Sequence, residues 1–327
     1  MRTVVRFGLG ALAAIAACGA AFAQGGAENY PNKPITLVVA FSPGGSTDNL
    51  ARVIVDDLGH ALGQPVVVEN RPGAGGYVAW RSIESAEPDG YTVLLAENAV
   101  ALGKALRPDE PLDPRKAFDP VAKVGTAPMA LIIHSKLEPA TFQDFVEYAK
   151  AKQGGVNFSS SGVGSVSHMT FEALATNLGI EPQHIPYRGG GEANAAVVGG
   201  HVDAMMQSIG SSRKLAEEGG AKVLAVTSRE RNATMPDVPT LEELGVSSDV
   251  ELRFWWGLFV PAGTPEPVKA KLAGAVEEIL KKPEVQERLA RIEVAPEFGA
   301  AEEMGSTLDS EITNWSAFVE QRGIKAE

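Results

Sequence analysis

Few residues of this chain have the types and spacing that covalent chemistry needs. The five histidines are scattered, no H-E-x-x-H sequence is present, and Cys18 is the single cysteine, so we expect no protein metal site. Ser165 and His168 lie three residues apart at a predicted helix start, where their side chains could touch. They are the candidate pair of a hydrolase or lyase, although no acid that would orient the histidine is evident. The alternative is that His168 packs inside the first helical turn.

A second kind of chemistry, anion binding by backbone amides, is indicated by residues 42–48. The apolar residues 37–41 run into two glycines that leave the backbone open to a ligand. Ser46, Thr47 and Asp48 follow, all of them types that cap helices. A helix start directs unpaired N–H groups and positive dipole at whatever lies before it, which favours an anion. The alternative is a plain strand-to-helix turn, and no Gly-Lys-Ser/Thr follows to make it a Walker loop.

A matching stretch occurs at residues 160–165, where an apolar strand is followed by glycines, hydroxyl residues and a helix. Ligands of such sheets bind outside the carboxyl ends of the strands. Both stretches lie at those ends, so we expect one on each wall of a cleft. Arg188, in a third glycine-rich turn, is the best candidate for direct contact with an anion, and a surface arginine is its alternative. Asp203 is either a ligand group or an acid that pairs with a loop.

The first 23 residues have the pattern of an export signal. Arg2 and Arg6 precede an apolar run, and a small-residue cleavage site ends at Ala23. The alternative is a lipid anchor on Cys18, which ends a lipobox-like sequence. The formal net charge of −12 becomes −14 once the two arginines are removed. A chain this acidic is not expected to bind nucleic acid or an anionic membrane over a broad face.

The order of predicted elements is that of an α/β protein with two lobes. Strands and helices alternate through residues 30–100 and again through 129–227, and near-continuous apolar strands predict parallel sheets. Residues 102–120, rich in proline and charge, are predicted to be a loop with one helical turn. Two crossover segments join the lobes. The predicted divisions are an export signal at 1–23, a first domain at 24–126, a second domain at 127–250 and a return to the first domain at 251–327.

Nine short motifs in a fixed order give the chain a resemblance to a known family. They are Y-P-N-K-P-I at 30–35, P-G-G-S-T-D at 43–48, E-N-R-P-G-A-G-G at 69–76, P-D-G-Y-T at 88–92, S-G-V-G-S at 161–165, P-Y-R-G at 186–189, G-G-H-V-D at 199–203, P-D-V-P-T at 236–240 and P-A-G-T-P at 261–265. Together they resemble the substrate-binding proteins of tripartite tricarboxylate transporters, the TctC or Bug family. The resemblance covers nearly all of residues 30–325.

The resemblance implies a periplasmic receptor, a monomer of Venus flytrap architecture, that binds a small organic carboxylate without a cofactor or metal. It would pass the solute to a transporter of one large and one small membrane subunit. Both loops would hold one carboxylate, largely through backbone amides and water, while the rest of the pocket varies with the solute. The expected ligand-binding residues are Ser42, Pro43, Gly44, Gly45, Ser46, Thr47, Asp48, Asn98, Ser160, Ser161, Gly162, Gly164, Ser165, His168, Tyr187, Arg188 and Asp203.

The chain departs from the family pattern at Glu97, where a small or hydroxyl residue is common. An acid at this position puts simple di- or tricarboxylate binding in doubt. If Glu97 faces the cleft, we expect a solute that carries an amine or a hydroxyl group besides its carboxylate.

Overall fold

The computed structural model describes residues 29–246, 250 and 252–324. The predicted export signal, with Cys18, lies outside these residues. The strands are β1 (Ile35–Val39), β2 (Val66–Asn70), β3 (Thr92–Glu97), β4 (Phe118–His134), β5 (Val156–Ser160), β6 (Pro182–Pro186), β7 (Ala204–Ser208), β8 (Ala221–Val226), β9 (Arg253–Pro261) and β10 (Ala295–Ala300). The helices are α1 (Ser46–Leu62), α2 (Tyr77–Glu84), α3 (Ala99–Leu106), α4 (Pro114–Ala117), α5 (Phe142–Ala151), α6 (Val166–Leu178), α7 (Gly190–Val198), α8 (Ile209–Glu217), α9 (Glu266–Leu280), α10 (Pro283–Arg291) and α11 (Ala301–Arg322). None of the helices in the described ranges combines the length and low polarity that crossing a membrane requires.

The strands form two sheets that share the long strand β4. The first sheet has the order β2-β1-β3-β9-β4, and β10 pairs with β4 at its edge. In the second sheet, β4 lies between β8 and β7, and β5 and β6 follow. Residues 118–128 of β4 pair with β9, whereas residues 129–134 pair with β7 and β8. The α/β class predicted from the sequence is therefore confirmed.

Both sheets are mixed, so the prediction of parallel sheets is confirmed for β1, β2 and β3 and for β5, β6 and β7, and is wrong for the strands that pair with β4 and β9. β1 pairs parallel with β2 and β3, but β9 runs antiparallel to both β3 and β4. The reason is the chain path: β4 leads out of the first sheet into the second, and β9 returns, so the two strands run in opposite directions.

The prediction of a loop over residues 102–120 is also wrong in part. Helix α3 continues to Leu106, and α4 leads directly into β4. Almost every side chain of α3 is buried. A helix buried on all sides has no polar face, and so it lacks the amphipathic period by which sequence analysis recognises helices.

Two central strands fix the positions of the predicted loops. In β1, Leu37, Val38 and Val39 are at most 1 % exposed, and β5 ends in the fully buried residues Phe158, Ser159 and Ser160. Since packed interiors leave little freedom of movement, the loops that follow these strands start from rigid points. Helix α1 begins within the first loop, at Ser46, and helix α6 begins directly after the second loop, at Val166.

Candidate functional site

The first loop, residues 42–48, turns from β1 into α1 through two glycines. Gly44 has φ +83°, a left-handed conformation that favours glycine. Gly45 is the N-cap of α1 and no side chain caps the helix. The expectation that Ser46, Thr47 or Asp48 is the cap is therefore wrong, because all three side chains are engaged elsewhere. The start of α1 keeps its amides free of a side-chain acceptor.

Asp48 braces this loop from within. Its carboxylate accepts the Gly44 N–H at 2.9 Å and binds Arg52 through both oxygens, at 2.9 and 3.0 Å. The side-chain amide of Asn70 donates to it at 3.0 Å. Burial alone would raise the pKa of Asp48, but these hydrogen bonds outweigh burial and hold the pKa below its ordinary value. Asp48 therefore keeps the loop in shape, and its oxygens are already occupied by protein donors.

Hydroxyl groups shape the second loop, residues 160–165. Ser165 is the N-cap of α6, and its Oγ accepts the backbone N–H of His168 at 3.3 Å. Ser167 Oγ accepts the N–H of Ser161 at 3.0 Å. The loop therefore resembles the first one in sequence but is held by a side-chain cap that the first one lacks.

Two stacked histidines support the second loop from behind. The ring centroids of His168 and His184 are 3.9 Å apart. The Gly164 N–H donates to His168 Nδ1 at 3.1 Å, and Ser160 Oγ is hydrogen-bonded to His184 Nε2. Burial lowers the pKa of both imidazoles, that of His184 to about 4. Both rings are thus neutral at pH 7 and serve as packed hydrogen-bonding supports.

The arrangement does not make Ser165 and His168 a catalytic pair. The imidazole Nδ1 accepts a backbone N–H, while Ser165 Oγ is hydrogen-bonded to the His168 main chain and, at 3.2 Å, to Ser167 Oγ. No base is placed to take the serine proton, which a serine nucleophile requires. The part of the chain that the structure describes also holds no cluster of three or more His, Cys, Asp or Glu side chains suited to a metal ion.

A third glycine turn lies against the first loop from the opposite lobe. A Cβ atom on Gly191 would lie 2.2 Å from the carbonyl oxygen of Pro43, and one on Gly190 would lie 3.2 Å from Gly45 Cα. Backbone of the two lobes is therefore in direct contact here. The start of α7 was not included among the predicted site residues, although its run of three glycines before a helix is the same signal as in the other two loops.

Ser46 connects the lobes by side-chain hydrogen bonds. Its Oγ donates to Gln207 Oε1 at 2.9 Å and lies 2.7 Å from Ser208 Oγ. Gln207 is itself held by a bond from its Nε2 to Asn194 Oδ1 at 2.9 Å. The sequence gives no sign that Gln207 and Ser208, at the end of β7, or Asn194, inside α7, belong to a site, because single polar residues at such positions have no distinctive local pattern. Only the hydrogen bonds that link them to Ser46 in the folded structure connect these residues with the first loop.

Three other predicted residues adjoin the same junction. Ser42 is buried, and its Oγ has no hydrogen-bond partner. The N–H of Tyr187 donates to the Ser160 carbonyl at 3.0 Å. Gly162 packs so closely on Gly75 that a Cβ atom would lie 3.0 Å from the Gly75 Cα. The second loop therefore also lies on backbone of the first lobe.

Two predicted residues lie away from the junction. Arg188 pairs with Glu192 at 2.7 Å, and 74 % of its side-chain surface is exposed. Asp203 pairs with Lys152 and immediately precedes β7, whereas the loops lie at the carboxyl ends of their strands. Both charges are already matched by neighbours within their own lobe. We therefore leave Arg188 and Asp203 out of the proposed site.

Thr47 connects the first loop to the sheet beneath it. Its Oγ1 donates to Glu97 Oε2 and accepts the indole N–H of Trp256 at 2.9 Å. Glu97 is the last residue of β3 and only 6 % exposed. Beside it, Asn98 is fully buried and donates through Nδ2 to the Arg253 carbonyl at 2.9 Å. The floor of the first loop is thus built from Thr47, Glu97, Asn98 and Trp256.

The family model described as tripartite tricarboxylate transporter family receptor, TctC, matches residues 50–324. The chain belongs to the TctC family. The match runs from the first turns of α1 to the last described residue, so it includes both lobes. As a TctC receptor, the protein is a solute-binding protein and not an enzyme.

Three solved structures resemble this TctC receptor over almost their full length. The periplasmic binding protein BugD is 30 % identical, with a TM-score of 0.86, covering 91 % of this chain and 100 % of BugD. Malate-bound MatC from Rhodopseudomonas palustris is 33 % identical, with a TM-score of 0.84, covering 89 % of this chain and 100 % of MatC. An adipate-bound protein from R. palustris is 28 % identical, with a TM-score of 0.86, covering 91 % and 99 %. The two-lobed architecture predicted from the sequence is confirmed by this likeness.

Proposed function

We propose that this receptor binds a small organic carboxylate at the junction of its lobes. The observation that carries the proposal is the contact between the glycine-containing starts of α1 and α7, where Ser161 of the second loop also lies 3.6 Å from the Cβ position of Gly190. Exposed amides at helix starts bind carboxylates through hydrogen bonds and a favourable dipole. Water can complete the contacts that the amides do not make directly. A cationic side chain is not needed, which fits the outward position of Arg188.

The ligand class rests on the relatives as well as on the amides. MatC holds malate and its R. palustris neighbour holds adipate, two aliphatic dicarboxylates of different length. Both proteins resemble this chain along both lobes. We therefore assign a small aliphatic carboxylate, with one carboxylate group on the amides at the start of α1, beside residues 160–165.

We further propose that the receptor works in the periplasm as a monomer and delivers its solute to one large and one small membrane subunit. Family membership and the likeness to BugD support the location and the role. Export would use residues 1–23, with cleavage after Ala23 or lipidation of Cys18. The domain limits 24–126, 127–250 and 251–327 remain our proposal, supported by the change of β4 partners from β9 to β7 and β8 near residue 128.

Ligand retention and thermal shift test this proposal. Native mass spectrometry of the purified protein should find a small acid bound, and released material should be chemically unchanged. A ligand at 100 times its dissociation constant should stabilise the protein by about 2.7 kcal/mol. If a panel of malate, adipate, citrate and aspartate leaves the melting temperature unchanged and no acid is retained, the proposal is wrong. Conversion of a bound acid would instead restore the hydrolase or lyase alternative.

A substitution within the first loop tests whether the backbone amides of that loop bind the solute. Gly45 has φ −79° and ψ 172°, so Gly45→Val strains no backbone angle, and the extended region suits valine. The added methyl groups would extend from a Cβ already 3.5 Å from Gly190 and cover the amides. We expect Gly45→Val to keep its melting temperature without ligand and to lose the ligand-induced shift.

A further inference from the structure

Glu97 is a buried carboxyl group at the proposed site without a charged partner. It lies at the carboxyl end of β3, next to the first turn of α1, and touches Thr47 of the first loop. Among the described residues, no lysine, arginine or histidine forms an ion pair with it, and no charged group perturbs its pKa. The buried Asp48, by contrast, is paired with Arg52. Proteins seldom bury a carboxylate without such a partner, because desolvation penalises the charge.

The residue after Glu97 adds a second acceptor that lacks a donor. Asn98 uses its Nδ2 on the Arg253 carbonyl, and its Oδ1 is buried without a hydrogen-bond partner. Among the described residues, the donors beside Glu97 are the Thr47 hydroxyl and the Trp256 indole, and the latter donates to Thr47. An unpaired buried acceptor costs about 1–3 kcal/mol. Among the described residues, Glu97 and Asn98 thus each have an acceptor that protein donors leave unsatisfied.

We propose that Glu97 selects a solute that carries an ammonium group besides its carboxylate, such as an amino acid. The inference rests on the proposed function: the loop amides hold the carboxylate, and Glu97 receives the ammonium. An ammonium group supplies both the missing positive charge and up to three donors. A second carboxylate in its place would meet a like charge with no cation to neutralise it.

Matched ligand pairs test this inference in isothermal titration calorimetry. Aspartate and succinate, and glutamate and glutarate, have equal carbon chains and differ by the ammonium group. We expect the amino acid of at least one pair to bind about tenfold or more tightly than its partner, equivalent to about 1.4 kcal/mol. Equal affinity, or tighter binding of succinate and glutarate, overturns the inference and leaves the proposed function intact. Failure of every carboxylate to bind or be retained would instead overturn the proposed function.

Two variants separate charge recognition from folding. Glu97→Gln keeps the shape and the acceptor oxygen but removes the charge, so we expect it to lose most of the preference for the amino acid. Its melting temperature without ligand should stay the same or rise, since an unpaired buried acid is removed. Glu84→Gln removes one exposed carboxylate of the same lobe and should retain the wild-type preference. Retention of the preference in Glu97→Gln contradicts the inference.

Proton linkage in the wild-type protein gives a test that needs no variant. Burial raises the pKa of Glu97 to about 7, so the carboxyl group is partly protonated at pH 7. The groups that face it are the neutral Thr47 and Trp256. An ammonium beside it lowers the pKa, and binding at pH 7 should release part of a proton, whereas a second carboxylate raises the pKa and should cause proton uptake. Titrations in buffers of different ionisation enthalpy measure the sign, and uptake with aspartate would refute the assignment.

Discussion

We expect the two lobes to close around the solute, with Gly191 and Pro43 in contact only in the closed form. A single added methyl group at Gly191 tests this expectation. In Gly191→Ala the new Cβ would lie 2.2 Å from the Pro43 carbonyl oxygen, although such atoms essentially never approach closer than 3.0 Å. The lobes must therefore separate by at least 0.8 Å at this point. Gly191 is in the first turn of α7 and its φ is not left-handed, so alanine is acceptable to the helix itself. The substitution therefore destabilises only the conformation in which Gly191 and Pro43 are in contact.

The expected magnitude follows from the cost of overpacking. Forcing a methyl group into a filled contact costs about 1–3 kcal/mol, which corresponds to a loss of affinity of about 5- to 150-fold. In an open form the two lobes do not touch at this point, so the overpacking cost is absent. Replacing glycine by alanine in a helix also contributes up to about 1 kcal/mol of stability. Gly191→Ala should thus bind its solute more weakly and melt without ligand at an equal or higher temperature.

Gly274→Ala is the matched control, because it makes the same change inside α9, where a Cβ atom would meet nothing within 4 Å. It should keep wild-type affinity. Calorimetry with the acid that gives the largest thermal shift, and melting curves without ligand, measure both quantities. Unchanged affinity in Gly191→Ala would refute the view that this contact belongs to the liganded form. An equal loss in both variants would show that the effect is not specific to the junction.

Three further outcomes follow from the site. Asp48→Asn should lose its ion pair with Arg52, loosen the first loop and weaken solute binding in calorimetry; unchanged affinity would contradict the bracing role. Ser165→Ala should lower stability by about 1 kcal/mol through loss of the N-cap, and abolition of any turnover by the same variant would favour the enzyme alternative. Burial holds the pKa of His184 at about 4, below about 6.5 in the unfolded chain. The unfolded state then binds more protons, so stability is complete above pH 6.5 or so and falls towards pH 4; a melting temperature constant over that window would refute this assignment.

Much of the order of strands and helices can be predicted from the sequence, because the local sequence patterns favour the same structures that tertiary packing favours. The apolar run of β1, the glycines after it and the helical period of α1 each indicate the observed structure. Glu69 and Arg71 form an ion pair at 2.8 Å, which needs little tertiary information because residues two positions apart are close along the chain. α3 was missed because a helix buried on all sides has no polar face.

The two loops of the proposed site could be predicted from the sequence, but the contacts between them and their neighbours could not. Glycine and hydroxyl patterns identified residues 42–48 and 160–165, because amide access requires residues of those types at those places. Arg188 and Asp203 were assigned by their charge, and their charges proved to be matched within their own lobe. Charge alone does not show whether a side chain has a nearby partner, which depends on packing.

The sequence by itself determined the family, the alternation of strands and helices, and the two glycine-rich loops. It did so because each of these features depends on short stretches of residues that are close together along the chain. Only the tertiary structure decided that Ser46 bonds to Gln207, 161 positions away, that Gly191 contacts Pro43, and that Glu97 is buried without a cation. These facts depend on how two lobes and three neighbouring strands come together, and no local pattern carries that information.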